Sequence, residues 1–403
     1  MAEKVLMFGW EFPPHNSGGL GTACLGITRA LAKRGIKVYF VLPKRVSVTS
    51  DSAEIIFADV PNVSINRLDS LVYPYITSDS YEAELKKVGS GLYGLGLVDE
   101  VKLYGLRAAE LAKNFDFDVI HAHDWLSFSA GLAAKKVSGK PLLAHVHATE
   151  FDRTGGNGIN QEVYRLEKEG MEKADKVLAI SHLTKKIIID HYGIPAKKIS
   201  VVHNGIEAEE FEPLPEVLAD LKAIGKKIVL FVGRITLQKG PDYFINVAKR
   251  ICELRDDIIF VVAGSGDMER QIIRQVAALG ISDRVIFAGF LRGQELTRLY
   301  RAADLYVLPS VSEPFGLTPL ESLCNGTPVL VSKQSGVAEV LNHALKVDFW
   351  DVDEMANKII AVVDHPSLKQ TLSQCGQAEA KNLSWHRSVD GYLKLYQALI
   401  NQA

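Results

Sequence analysis

Two carboxylates, Glu313 and Glu321, stand eight positions apart around the segment Pro-Phe-Gly-Leu-Thr-Pro-Leu. Residues 304–310 before them are mostly apolar and end in Pro-Ser, which predicts a short buried strand. The residues after Glu313 predict a helix, with Thr318 as its cap and Pro319 in its first turn. Glu313 is therefore expected at the carboxyl end of a strand, beside free backbone N–H groups, where open α/β sheets bind ligands. Glu321 is expected to reach back from the helix toward the same place.

A glycine-rich segment, Ser-Gly-Gly-Leu-Gly-Thr at 17–22, follows the first apolar run and opens a predicted helix. Gly18 and Gly19 would let a ligand approach the backbone closely, and a helix N-terminus attracts phosphate. The spacing is neither the dinucleotide fingerprint nor the P-loop. An ordinary glycine-rich turn is the alternative interpretation.

Two cations, Arg234 and Lys239, follow the first strand of a second series of apolar runs. Guanidinium and ammonium groups both suit phosphate, although two solvated surface cations are the simpler alternative. Further along, Gly264 opens the turn Gly-Ser-Gly-Asp between a buried run and a helix. That turn predicts either a second helix N-terminus directed at a ligand or a plain turn capped by Asp267.

Histidines alternate at the ends of two predicted strands, His121 with His123 and His145 with His147, and Asp124 follows the first pair. Alternation along a strand places both histidines of a pair on one face. Two histidines with an acid are compatible with a metal site, and so with a metal-dependent hydrolase. Core histidines with satisfied hydrogen bonds are favoured, because no further His/Asp cluster has ligand spacing.

Two Asp-x-Asp segments also occur. The segment 116–118 resembles a metal–nucleotide motif, but it precedes its strand instead of following it, which indicates a solvated loop and the start of a strand. The segment 351–353 is interpreted as a helix cap.

The bulk properties are those of a globular enzyme. A chain of 403 residues is too long for one hydrophobic core, so two domains are expected. The net charge of −2 disfavours nucleic acid or an anionic membrane as a partner. No apolar run reaches membrane-spanning length and no signal peptide is apparent, so a cytoplasmic protein is expected. The scattered cysteines indicate a reducing compartment and no structural zinc; they are Cys24, Cys252, Cys324 and Cys375.

Short apolar runs alternate with amphipathic stretches along most of the chain, which predicts βα units and parallel sheets. The strands expected in the first series cover 4–10, 37–42, 118–121, 142–145, 176–180 and 199–202. Those of the second series cover 227–232, 258–263, 284–288, 304–309 and 328–332. The stretch 47–105 is irregular, with a mobile loop expected near 78–99, and 204–223 is expected to be a hinge.

The fold class predicted is therefore α/β, with two Rossmann-like, doubly wound domains that face a central cleft. The domains expected are residues 1–205 and 206–383. Ser384 and Trp385 then cap and anchor a C-terminal helix, 384–403, that returns to the N-terminal domain. The oligomeric state is not predicted.

Six motifs in this order resemble the retaining GT-B glycosyltransferases of family four and their glycogen and starch synthase relatives. The resemblance covers nearly the whole chain. The motifs occupy 10–14 with 17–21, then 121–125, 202–206, 233–240, 263–266 and 313–321.

The resemblance implies a role for each matching residue. Arg234 and Lys239 match the basic pair that holds the donor diphosphate, and Gly18 and Gly19 match the loop that approaches the same phosphates. Glu313 matches the acid that contacts the hydroxyls of the donor sugar.

Further roles follow from the same resemblance. The backbone amides of Phe315, Gly316 and Leu317 would lie near the sugar and the phosphate, and Glu321 would hold the ribose. His147 matches the histidine that lies over the sugar. Asp124 matches an acid on the sugar and acceptor side.

The chain departs from the bacterial ADP-glucose type of glycogen synthase at two positions. Ser17 stands where those enzymes have lysine, and Glu321 stands where they have tyrosine. These departures favour family four over the starch synthase branch. They also weaken the inference that this chain shares the substrate of those enzymes.

The function implied is retaining transfer of a sugar, with glucose favoured, from a nucleotide sugar such as UDP- or ADP-glucose to a carbohydrate acceptor, with an α-glucan favoured. No cofactor or metal is expected. Transfer to a sugar phosphate, as in sucrose-phosphate synthases, and transfer to a polysaccharide or lipid are alternatives. A nucleotide-sugar epimerase, which needs no acceptor, is the runner-up within the same fold. A sugar-binding scaffold and a metal-dependent hydrolase are more remote alternatives.

Overall fold

The computed structural model describes residues 3–15, 18–60, 96–207 and 225–402. The chain divides into two compact units: residues 1–205 together with 385–403, and residues 206–384. The expected mobile loop and most of the expected hinge lie outside the described residues.

Each unit is built on one parallel sheet. The strands of the first unit are β1 (Lys4–Phe8), β2 (Lys37–Leu42), β3 (Glu54–Phe57), β4 (Val119–His123), β5 (Leu142–Val146), β6 (Lys176–Ala179) and β7 (Ile199–Val201). Those of the second are β8 (Lys227–Val232), β9 (Ile258–Ala263), β10 (Val285–Gly289), β11 (Leu305–Leu308), β12 (Val329–Ser332) and β13 (Leu345–Val347).

Helices connect these strands. From the first strand to the end of the first sheet they are α1 (Gly19–Ala32), α2 (Leu97–Ala112), α3 (Trp125–Ser138), α4 (Glu150–Thr154), α5 (Gln161–Lys173) and α6 (His182–Tyr192). They continue with α7 (Pro241–Cys252), α8 (Glu269–Ala278), α9 (Gly293–Ala302), α10 (Leu317–Cys324), α11 (Val352–Asp364), α12 (Pro366–Asn382) and α13 (Trp385–Ile400). Among the described helices, none combines the length and the apolar character needed to cross a bilayer.

The strand order places a reversal in each sheet. In the described part of the chain the order is β3-β2-β1-β4-β5-β6-β7 in the first sheet and β10-β9-β8-β11-β12-β13 in the second. The direction in which successive strands are added to the sheet therefore reverses between β1 and β4, and again between β8 and β11. Ligands of doubly wound sheets bind at such switch points, outside the carboxyl ends of the strands. The two doubly wound parallel sheets predicted from the sequence are confirmed.

The burial of the strands explains why they could be predicted from the sequence. Strands β4, β5, β9 and β12 are buried along their whole length. A parallel sheet is covered by helices on both faces, so its strands appear as continuous apolar runs. The bounds predicted at 37–42, 227–232 and 258–263 are those observed, and the other predicted strands differ at their ends by one or two residues.

The expectation of irregular structure over 47–105 holds for the described residues 47–53 and 58–60 but is wrong at two other segments. Strand β3 lies there, and α2 begins there at Leu97. Strand β3 is only partly buried at the edge of its sheet, so its residues lack a continuous apolar pattern. Strand β13 was missed for a similar reason, since it is three residues long and also lies at an edge.

The C-terminal helix packs in the first unit, as predicted. Trp385, the first residue of α13, is buried against α1. Gly26 of α1 makes this contact possible, because a Cβ atom at that position would lie 2.2 Å from the Trp385 ring. Tyr396, further along α13, reaches the first sheet and hydrogen-bonds His121 of β4 at 2.7 Å.

We expect Gly26→Ala to lower the thermal midpoint of the first unit. The added methyl must displace a buried indole, and overpacking costs about 1–3 kcal/mol. This exceeds the gain of roughly 0.5–1 kcal/mol that alanine normally brings to a helix. Thr22→Ala, on the exposed side of the same helix, is the control and should not lower the midpoint. A Gly26→Ala protein as stable as the parent would contradict the packing.

Candidate active site

The switch point of the second sheet carries a buried ion pair. Lys239 ends a short turn of 3-10 helix, Leu237–Lys239, after β8, and Glu313 follows β11. The ammonium group of Lys239 donates to the Glu313 carboxylate, and the two side chains are 14% and 7% exposed. Ser310 Oγ donates to the same carboxylate oxygen at 3.4 Å. The sequence assigned these two residues to different parts of a ligand; in the structure they are each other's partner.

The main chain around Glu313 is fixed against the segment that follows β12. The Glu313 N–H donates to the Gln334 carbonyl at 2.9 Å, and the Gly336 N–H donates to the Glu313 carbonyl at 2.8 Å. The Val337 N–H donates to the Phe315 carbonyl at 2.7 Å. These bonds hold the segment in place on both sides of its carboxylate.

Arg234 lies in the same loop as Lys239. Its guanidinium donates to Gln238 Oε1 at 3.3 Å, and Gln238 is buried. The Val311 N–H in turn donates to the Gln238 carbonyl at 2.9 Å, which ties this loop to the one after β11. The structure therefore brings both cations and Glu313 to one switch point.

The N-cap of the helix after Glu313 lies two residues earlier than predicted. The helix starts at Leu317 with Gly316 as its N-cap, so the expectation that Thr318 caps it is wrong. Gly316 has a φ of +104°, which L side chains rarely adopt, and this turn starts the helix. Thr318 instead shares a hydrogen bond of 2.7 Å with the Tyr306 hydroxyl. Phe315, just before the cap, is buried.

Glu321 has a partner that the sequence did not suggest. The hydroxyl of Tyr300, a buried residue of α9, donates to Glu321 Oε2 at 2.9 Å. Burial and the neighbouring carboxylate raise the pKa of Tyr300 well above its ordinary value, so the phenol stays protonated and remains a donor. Glu321 is thus oriented from α9, and it lies on the same helix that begins beside Glu313.

Gly264 is required by a close approach of two backbones. A Cβ atom there would lie 1.9 Å from the Gly233 carbonyl oxygen, and its φ is +139°. The residue after β9 therefore packs directly on the start of the Arg234 loop. The alternative that Asp267 caps the next helix is wrong, because α8 begins at Glu269 and Met268 is its N-cap.

At the switch point of the first sheet, α1 begins at Gly19 with Gly18 as its N-cap. Glu11, a buried residue, accepts from the Gly21 N–H at 2.9 Å. A carboxylate is favourable at a helix N-terminus, where it meets unpaired N–H groups and the positive end of the dipole. Sequence reasoning noted the motif that contains Glu11 but not this contact.

Asp124 follows β4 at the same switch point. Its φ is +57°, an uncommon value for a residue with a side chain. Its Oδ1 accepts from the N–H groups of His147 and Ala148, at 2.6 and 3.3 Å. Its Oδ2 is buried and has no hydrogen-bond partner among the described residues. Burial raises the pKa of Asp124 to about 7, so a buried acid near neutrality lies beside His147.

The four alternating histidines form one buried cluster across β4 and β5. His121 Nε2 bonds His145 Nδ1 at 3.0 Å, and His123 Nδ1 bonds His147 Nε2 at 2.9 Å. Burial lowers the pKa of His121 and of His147 to about 3, and it lowers those of the other two well below the ordinary value. All four rings are therefore neutral at physiological pH.

Three of these rings have the spacing of possible metal ligands. One ring nitrogen each of His121, His123 and His145 lies within 4.8 Å of the others. However, both nitrogens of His121 are engaged, one with His145 and one with the Tyr396 hydroxyl. His121 would have to give up a hydrogen bond to bind an ion. Each of the four rings bonds another histidine, which favours the interpretation as core residues. The hydrogen bonds are not all satisfied, however, since Nε2 of His123 and Nε2 of His145 are buried without a partner among the described residues.

The aspartate pairs also have structural roles. Asp118 accepts from the N–H groups of Glu3 and Lys4 at 2.7 and 3.0 Å, and so holds the start of β1. Asp351 is the N-cap of α11 and accepts from the Glu354 N–H at 3.0 Å. Both observations agree with the predictions for these segments.

A buried charge network that sequence reasoning missed supports His147. Arg153 donates to Glu150 Oε2 at 3.1 Å, to a carboxylate oxygen of Glu167 and to the Ala148 carbonyl at 3.2 Å. Its side chain is 1% exposed. Ala148, the residue that follows His147, is thus held by Asp124 at its N–H and by Arg153 at its carbonyl. The i, i+3 spacing of Glu150 and Arg153 was the available sequence signal.

Comparisons with known proteins agree with this arrangement. The family model for Glycosyltransferase Family 4 matches residues 17–210, and the model for Glycosyl transferases group 1 matches residues 219–380. A glycosyltransferase of Methanocaldococcus jannaschii is 32% identical over 350 residues, which cover 84% of this chain and 83% of that protein.

Other similar proteins span nearly the full chain. The D-inositol 3-phosphate glycosyltransferase of Salinispora arenicola is 28% identical and covers 94% of this chain and 87% of its own length. The glycogen synthase of Mycobacterium tuberculosis is 27% identical, and the match covers 98% of this chain and 94% of that protein. The structure of a sucrose-phosphate synthase from Thermosynechococcus elongatus matches with a TM-score of 0.80 at 20% identity and covers 100% of both chains. That likeness shows a shared fold.

The histidine cluster predicts that acid destabilises the protein. Unfolding exposes four imidazoles that take up protons below about pH 6.5. In the native state His121 and His147 stay unprotonated down to about pH 3. The free energy of unfolding should therefore fall as pH drops, by up to about 1.4 kcal/mol per histidine and pH unit. Asp124, Glu167 and Asp242 act in the opposite direction, since their raised pKa values favour the native state at low pH, but they are three groups against four.

Urea unfolding at pH 7 and pH 5 measures this effect. His145→Gln should reduce the loss of stability between the two values. His386→Gln, at an exposed position on α13, is the control and should leave the loss unchanged. Equal stability of the parent at both pH values would contradict the assignment of buried neutral rings.

Proposed function

This chain belongs to the family-four glycosyltransferases, which have the GT-B fold, and from that premise we propose that it is a retaining hexosyltransferase. It moves glucose from UDP-glucose or ADP-glucose to an α-glucan. The observation that carries the proposal is the buried pair of Lys239 and Glu313 at the switch point of the second sheet. A cation for a phosphate and a carboxylate for sugar hydroxyls are already side by side there.

Donor binding exchanges the partners of that pair. In the ligand-free protein each charge compensates the other, which lowers the cost of burying both. With a nucleotide sugar bound, Lys239 turns to the diphosphate and Glu313 accepts from hydroxyls of the sugar. Arg234, in the same loop, adds a second cation with bidentate geometry.

These cations act on the leaving group. Breaking the glycosidic bond develops negative charge on the departing nucleoside diphosphate, and Arg234 and Lys239 stabilise it. A preorganised donor at such a position is worth roughly 3–4 kcal/mol in barrier height. Because the protein supplies this compensation, we propose that the reaction uses neither a metal nor another cofactor.

The N-terminus of α10 and the residues near it complete the donor site. The amides of Phe315, Gly316 and Leu317 lie where that helix begins, so they suit the sugar and the phosphate. Glu321 accepts from the ribose hydroxyls and is held in orientation by Tyr300. Gly264 keeps the neighbouring loop close to the backbone that carries Arg234.

The family resemblance assigns further roles to residues of the first unit. We propose that His147 acts on the transferred sugar as a neutral ring. It is positioned by Asp124, which accepts from the N–H groups of His147 and Ala148, and by Arg153, which donates to the Ala148 carbonyl. Asp124 itself acts on the sugar and acceptor side. Gly18 and Gly19 approach the donor phosphates. Retention follows from attack on the face that the phosphate leaves, with the departing phosphate taking the proton of the acceptor hydroxyl.

The choice of an α-glucan as acceptor is supported by the full-length similarity to a glycogen synthase and by the motifs at 10–14, 17–21 and 121–125. The D-inositol 3-phosphate glycosyltransferases are about equally similar. A phosphorylated polyol is therefore the competing acceptor that an assay has to include.

Incubation with labelled UDP-glucose and ADP-glucose tests the proposal. The acceptors are glycogen, D-inositol 3-phosphate, fructose 6-phosphate and lipid vesicles, each with and without EDTA. We expect label in glycogen, unaffected by EDTA and lost in a folded Glu313→Ala protein. Label confined to a sugar phosphate or to lipid would overturn the acceptor. Activity lost in EDTA and restored by a divalent ion would instead favour a metal at His121 and His123.

Calorimetry of UDP binding tests the exchange of partners. Lys239→Ala and Arg234→Ala should each weaken binding by roughly 1.5–3 kcal/mol, because each removes a charge-assisted contact. Glu313→Gln should strengthen binding of free UDP, since it removes the carboxylate that competes for Lys239. Lys249→Ala, on α7 beside Glu253, is the control and should bind like the parent. Unchanged affinity in both cation variants would exclude this site.

A further inference from the structure

Trp350 is the exposed tryptophan of this protein. Its side chain is 58% exposed, whereas Trp10, Trp125 and Trp385 are buried. It lies between β13 and α11, at the carboxyl edge of the second sheet, where Glu313 also follows its strand. A single exposed apolar residue is ordinary on a protein surface. The surroundings of Trp350 are what distinguish it.

The indole stands on a stack of aromatic rings. Trp350 meets Phe349 edge to face, with centroids 4.8 Å apart and planes at 84°. Phe349 in turn meets Tyr243 of α7 at 5.0 Å and 77°. Such edge-to-face contacts are favourable and fix ring orientation. The exposed ring is therefore held in place from below.

Oriented polar groups surround this aromatic platform, which consists of Tyr243, Phe349 and Trp350. Asp348 accepts from Lys333 Nζ at 2.8 Å and from Gln334 Nε2 at 2.9 Å. An aromatic face with a polar rim matches a sugar ring, whose C–H face is apolar and whose hydroxyls point outward. One indole offers much less area than the roughly 800 Å² that each partner buries in a stable protein interface, so a sugar fits this platform better than a protein partner.

The platform is tied to the proposed donor site at two points. The Gln334 side chain accepts from the Phe349 N–H at 3.4 Å, and its backbone carbonyl accepts from the Glu313 N–H at 2.9 Å. Tyr243 lies in the first turn of α7, which begins directly after Lys239 and Gly240. Strand β12 alone separates β11 from β13, a distance of about 10 Å at the usual spacing.

We propose that Trp350 is a stacking subsite for a glucosyl unit of the acceptor chain, away from the point of transfer. The inference rests on the proposed function, because it takes the acceptor to be a neutral carbohydrate. On the same segment Asp348 is paired with Lys333 and Asp353 with Arg250, while Asp351 caps α11. These five residues carry no net positive charge, which suits a neutral sugar better than a phosphorylated ligand or an anionic membrane. A polymer is the acceptor that can occupy a subsite outside the reacting centre.

Tryptophan fluorescence of the full chain tests the subsite directly, since the exposed indole is the one that a sugar can reach. Maltoheptaose should change the emission saturably and protect it from acrylamide quenching. Both effects should be absent in Trp350→Ala and in Trp350→Phe, because each variant lacks the exposed indole. Trp350→Phe keeps an aromatic ring for stacking, so its KM for glycogen should lie between those of the parent and Trp350→Ala. No saturable change in the parent at high maltoheptaose would overturn the subsite.

Kinetics provide the second measurement. Trp350→Ala should raise the KM for glycogen roughly three- to tenfold with kcat nearly unchanged, and should leave the KM for maltose as it is. An equal rise in the KM values for glycogen and for maltose would contradict a subsite away from the point of transfer. UDP calorimetry on the same variant separates the two proposals. If UDP binds normally but maltoheptaose does not change the fluorescence, the subsite is contradicted while the donor site is retained. If glycogen accepts no label, the fluorescence measurement still tests the subsite.

Discussion

The parallel direction of the strands is the constraint on which the candidate site depends. Because the described strands of each sheet all pair in parallel, each loop that follows a strand starts at the same edge of its sheet. The reversal of strand order then opens a gap at that edge between two neighbouring strands. In the second sheet the gap is flanked by the loops that carry Lys239 and Glu313. In the first it is flanked by those that carry Gly18 and Asp124.

Burial of charge gives these sites their chemistry. Lys239 and Glu313 are largely removed from water, and either alone would carry a large desolvation cost. The same holds for Arg153 with its two glutamates beneath His147. A buried pair of this kind is a poor source of net stability, but it holds charged groups in one geometry before a ligand arrives. A ligand that offers both a phosphate and hydroxyls can replace both halves of the Lys239–Glu313 contact.

Neutral rings and a protonatable acid lie together in the first unit. Burial keeps His147 neutral and brings the pKa of Asp124 to about 7. The same removal from water therefore disfavours the charged form of both groups, and it shifts their pKa values in opposite directions. The carboxylate oxygen that accepts two N–H bonds fixes the backbone of His147. The other oxygen is buried and has no hydrogen-bond partner among the described residues.

The sequence by itself determined the fold class, most strand positions and the set of candidate residues. Buried parallel strands are continuous apolar runs, and the motif residues follow those runs directly, so both are local patterns. The tertiary structure alone decided the partners. Lys239 and Glu313 are 74 residues apart, Tyr300 and Glu321 are 21 apart, and His121 and Tyr396 are 275 apart. No local pattern encodes such contacts, because the strand order that creates them is set by how whole sheets pack.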